Sequence, residues 1–263
     1  MALGDNMGRI INIIDGGKII ETDDVLKIVS SCIKYYNLDK YVKDVYFDYN
    51  NIYPANYVIK DNIIVFNDQK IIESAYKLYD YIYNAYKIDE NNYKYIINFY
   101  YLYVIFHELE HAKQKMKYET SDNELFNYLY EIREILQLGK SFYDEYHDLF
   151  PMERQAINSG NMKAYQLMCY SNLSERECNV LYLVYLIRRL CNYHCKNDAK
   201  VISPISQLLE LTKGDINIIN SLSGNNNFSF ADKIDYGLDI NYPEYLNLRR
   251  EKHILYKKIN GSI

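Results

Sequence analysis

His107-Glu108-Leu109-Glu110-His111 sets two imidazoles four residues apart, with a carboxylate directly after the first. On an α-helix that spacing places the rings one turn apart and rotated by only about 40°, so both can reach a single ion. Zinc takes histidine nitrogens at about 2.0–2.1 Å, and a catalytic zinc site uses three protein ligands while keeping one position for water. The chemistry such a set would do is hydrolysis: zinc brings the pKa of its water down to about 7, and a carboxylate beside it, here Glu108, takes the proton. The expected cofactor is therefore Zn2+, and a third ligand must come from elsewhere in the chain.

The pentad follows Ile96 to Phe106, a stretch that is apolar apart from Asn98. It lies within a helix predicted over about 92–118 and would bury one side of that helix beneath the site. Pro151 opens another predicted helix, about 151–170, whose first turn carries Glu153. Ala156, one turn on, would let this helix approach the pentad closely, which makes Glu153 a candidate third ligand. Glu131 competes with it, although beside Arg133 and Glu134 it reads more like a solvated helix face. His147 and Tyr146, just ahead of Pro151, are candidates to stabilise an oxyanion in the transition state. Glu110 falls on the opposite flank of the histidine face from Glu108, either as a partner of a ligand or facing solvent.

An HExxH pentad followed by Glu-x-x-Ala on a later helix resembles the glutamate zincins. Among them it is similar to the ImmA/IrrE-type regulatory metallopeptidases and to zincin-like proteins of bacterial phages and mobile elements. The resemblance covers two short motifs and a sheet-then-helix order, roughly residues 43–170. It implies that His107 and His111 bind zinc, that Glu153 completes the site in preference to Glu131, and that Glu108 polarises the water. By that resemblance the chain is a zinc metallopeptidase hydrolysing peptide bonds in a particular protein partner. The alternative is a non-catalytic zinc-binding regulatory or interaction module of a phage or mobile element.

The remaining pattern is mostly helical. Asp23 to Tyr36 carries apolar residues at helical spacing, Lys43 to Tyr49 alternates, and Asn56 to Lys60 with Ile63 to Asn67 flank an Asp61-Asn62 turn. These strands predict a small antiparallel sheet over about 43–67. Helical periodicity returns at about 69–86 and 122–139, and Ser174 with Glu177 forms a capping box ahead of a helix from Cys178 to Tyr193. Tyr242 to Ile259 reads as a last helix. The expected fold class is α+β, mainly α, with a zincin-like metallopeptidase domain over 1–170 and a helical C-terminal extension over 171–263.

With 263 residues, about half of them apolar, and a net charge of -5, the chain can bury a substantial core and offers no broadly basic surface. Nucleic acid is therefore not the expected partner. Leu173 to Leu181 opens like some DNA-binding helix-turn-helix units, but its apolar pattern runs on through Leu190 without a turn. The longest apolar run falls short of the roughly 20 residues of a membrane helix, and the first residues lack the pattern of a signal peptide. A cytoplasmic location with no membrane contact is expected. Five cysteines with no CxxC pair fit reduced thiols, and Cys191, His194 and Cys195 read as ordinary helix positions. Tyr76, Tyr79, Tyr83 and Tyr86 lie at helical spacing and predict packing.

Overall fold

The computed structural model describes residues 5–15, 18–122, 126, 127, 130, 151–197 and 242–259. Helices α1 (Asp5–Asp15) and α2 (Thr22–Tyr36) come first. The start of α2 is fixed by reciprocal bonds between Glu21 and Asp24, and its end by Asn37 in the left-handed region. Strands β1 (Asp44–Phe47), β2 (Ala55–Val58) and β3 (Ile63–Phe66) follow, then α3 (Asp68–Tyr86) and the long α4 (Tyr93–Thr120). Three further helices are α5 (Pro151–Cys169), α6 (Glu175–Asn197) and α7 (Tyr242–Ile259). The protein is mainly helical with one small sheet, the α+β class that the sequence predicts.

The sheet itself differs from the expected antiparallel one. Its order is β1-β3-β2, with β3 antiparallel to β2 but parallel to β1. The Asp61-Asn62 turn makes the predicted hairpin, with Asn62 at φ 60°. The misreading concerns β1. Its side chains alternate between exposed and half-buried, whereas Ile64, Val65 and Phe66 are all buried. The strand with the continuous apolar run takes the centre, and the alternating one is left at an edge. Residues 48–54 then cross the end of β3, held by Asn67, whose side chain donates to the Tyr49 and Asn51 carbonyls at 3.0 and 2.7 Å.

Helix α4 is the axis of the molecule. From Ile96 to Leu109 every side chain is buried except Tyr100 and Tyr103, which are half-buried, so the apolar run is enclosed nearly all round rather than on one side. Asn98, its one polar residue, accepts from the Ile20 amide and donates to the Lys18 carbonyl, both at 2.8 Å, which anchors the segment leading into α2. Helices α2, α3, α5 and α6 pack around α4, and α7 lies against α6. The Ser174–Glu177 capping box forms as expected, with Ser174 N–H donating to Glu177 at 2.7 Å. Of the tyrosine row on α3, Tyr79, Tyr83 and Tyr86 pack against the core, while Tyr76 is exposed. No helix among the described residues is long and apolar enough to cross a membrane.

Candidate metal centre

Helix α4 brings His107 and His111 onto one face, their Nε2 atoms 3.1 Å apart and their rings nearly perpendicular at 89°. Helix α5 supplies Glu153 from its first turn, with Oε2 3.0 Å from His111 Nε2 and 3.5 Å from His107 Nε2. The three side chains are buried and form a group that could hold a metal ion. Donors at about 2.0–2.1 Å from a common tetrahedral centre stand roughly 3.3–3.4 Å from one another, and the separations here bracket that value. Glu153 is 0% exposed, and a carboxylate so enclosed needs compensating positive charge, which a cation among these donors would provide. Residues and group therefore fit.

Glu108, on the same helix, points to the sheet side of the site. Its Oε2 accepts the Tyr57 amide of edge strand β2 at 2.7 Å, while Oε1 lies 4.0 Å from His107 Nε2. The Tyr57 hydroxyl in turn donates to the Tyr41 carbonyl at 2.7 Å, and Lys115 donates to the Ile59 carbonyl and Asn62 at 2.6 Å each. The hairpin is thereby clamped against α4 at the level of the carboxylate. A backbone donor leaves no mark in residue type, so sequence gave no hint of Tyr57.

Close approach of α4 and α5 rests on small residues. Ala156 is fully buried as anticipated, and Gly160, one turn further, matters more. A Cβ added at Gly160 would stand 2.8 Å from the Tyr103 carbonyl oxygen and 3.3 Å from the His107 amide. Helix propensity alone would make Gly160→Ala stabilising by about 1 kcal/mol. Steric overlap with backbone should reverse the sign and leave a net loss of about 1–2 kcal/mol. Urea unfolding of the metal-free protein checks this, and a midpoint at or above wild type would mean that the helices have slack.

Glu110 is neither a partner of a ligand nor turned to solvent. It crosses to α5, where it accepts from Ser159 Oγ at 2.7 Å and from Lys163 Nζ at 3.0 Å, with Lys113 Nζ at 3.3 Å. Burial pushes its carboxyl up, but Lys163 and Lys113 outweigh that and bring it down to about 2. A carboxyl depressed in the folded state stabilises above its ordinary range, and that stability is lost as pH falls through about 4.5 toward 2. Glu110→Gln should be less stable near neutrality by on the order of 3 kcal/mol at most. Measured in chelator, the gap to wild type should close near pH 2; a pH-independent gap would assign the loss to packing.

Glu131, His147 and Tyr146 lie outside the described residues, as does most of the helix predicted at 122–139. Gln114, Ser159, Gly160 and Lys163 went unnoticed in the sequence, although Gln114 stands three residues after His111 on its helix face. Comparisons with protein-family models, curated proteins and solved structures find no match for this chain.

Proposed function

We propose that this chain is a zinc-dependent metallopeptidase of the glutamate-zincin kind, acting in the cytoplasm on a particular protein partner. The observation that carries the reading is the convergence of His107 Nε2, His111 Nε2 and Glu153 Oε2 at 3.0–3.5 Å with a second carboxylate, Glu108, beside them. Two imidazoles and one carboxylate are a donor set suited to zinc, and three protein donors leave a position open. When bound, zinc supplies Lewis acidity toward a carbonyl oxygen and activates water.

The chain's own groups do the rest. Glu108 is the general base that takes a proton from the attacking water and returns it to the leaving amine. Its Oε2 is engaged by the Tyr57 amide, which fixes the rotamer and leaves Oε1 toward the histidine pair. Helix α5 holds Glu153 against both imidazoles through the close contact at Gly160. The burial of His107, Glu108, His111 and Glu153, all under a tenth exposed, favours a second reading: a regulatory module that keeps a metal without turnover.

The test is zinc titration of the chelator-treated protein, followed by incubation of the loaded protein with a random peptide library and mass spectrometry. One zinc per chain and cleavage that chelator abolishes support the peptidase. Zinc uptake without cleavage supports the regulatory module, and no uptake overturns both.

A further inference from the structure

Gln114 is the residue through which the two halves of the donor set meet. It is buried at 2% exposure. Its Oε1 lies 2.9 Å from His111 Nδ1, and its Nε2 donates to the Met152 carbonyl at 2.8 Å and to Gln155 Oε1 at 3.0 Å. The orientation of this amide is not a free choice. A backbone carbonyl only accepts, so the Gln114 NH2 must face Met152, and the oxygen is left for the imidazole. An oxygen acceptor there requires the proton on Nδ1, which leaves the lone pair of His111 on Nε2, the atom that faces Glu153 and His107.

We infer that Gln114 is a positioning residue that sets the ligating nitrogen of His111 and, through the Met152 carbonyl, locks the first turn of α5 so that Glu153 arrives at the same point. One side-chain amide thus reads both helices. Withdrawing α5 frees the NH2, the amide can turn over, and His111 loses its enforced tautomer just as Glu153 departs. Metal affinity becomes a reporter of α4–α5 docking. This inference rests on the proposed metal site but not on peptide hydrolysis.

The experiment compares wild type, Gln114→Met and Gln114→Glu. Methionine keeps the volume and removes both hydrogen-bonding ends; glutamate keeps an oxygen for the imidazole. Zinc affinity is read by chelator competition, and the His111 Nδ1 proton by NMR of the zinc-loaded protein. Gln114→Met should bind zinc about 10–100-fold more weakly, the range for loss of a group that orients a ligand, and its Nδ1 proton should exchange too fast to observe. Gln114→Glu should retain that proton signal but, having no donor for the Met152 carbonyl, should recover only part of the affinity. Wild-type affinity in Gln114→Met overturns the inference, and so does an equal loss in both variants with the proton signal intact, which would mark a packing role. Failure of the wild type itself to bind zinc overturns the metal reading and this inference with it, a result distinct from the other two.

Discussion

Glu108→Gln is expected to take up zinc as the wild type does and to hydrolyse peptides about 10²–10⁴-fold more slowly, the usual contribution of a positioned general base. The separation of these two effects follows from where the carboxylate sits. Neither of its oxygens belongs to the set of three donors that converge, so its loss should not weaken binding. Glutamine has the same shape, and its oxygen can still accept the Tyr57 amide that now bonds Oε2 at 2.7 Å. The hairpin clamp therefore survives and only the capacity to accept a proton is removed. Zinc content by mass spectrometry and kcat/KM on any peptide cleaved by the wild type check the two halves. Substantial activity in the variant would remove Glu108 from the role of base. If instead the biological effect persists in full with cleavage never seen, the regulatory reading gains.

Much of the site could be read from residue order because its logic is local. An i,i+4 histidine pair needs only a helix, and Ile96 to Phe106 declares one. Glu153 was recognisable by its place one turn before a small residue at the start of a helix, and its carboxylate does lie against both imidazoles. What residue order concealed is non-local. The pairing of β1 with β3 depends on which strand has the more continuous apolar run, a comparison between segments that a pass along the chain does not make. Glu110 was misread for a similar reason: its partners Ser159 and Lys163 lie on another helix, and only the α4–α5 contact brings them within 3.0 Å. That contact is half legible, since Ala156 marks it at the start of the helix while Gly160, the position with no room for a Cβ, carries no pattern that sets it apart.

Glu153→Gln should weaken zinc binding by about 100-fold or more while leaving the metal-free protein as stable as wild type, or slightly more stable. Both effects come from the same burial. Glu153 has no exposed surface, and a carboxylate held in such a place costs desolvation energy that a neutral amide largely avoids. The two imidazoles stand against it at 3.0 and 3.5 Å, and a cation among the three donors would add full compensating charge. Linkage turns this into a measurable difference: with free zinc at 100 times the wild-type Kd, binding adds about 2.7 kcal/mol to wild-type stability, whereas a variant with a 100-fold larger Kd gains about 0.4 kcal/mol. Denaturant unfolding with chelator and with zinc, on both proteins, gives all four numbers. An equal zinc-dependent gain in the two proteins would remove Glu153 from the ligand set. If Glu131→Gln then abolished that gain, the third ligand would belong to the segment predicted helical at 122–139, and α5 would serve only to wall the site.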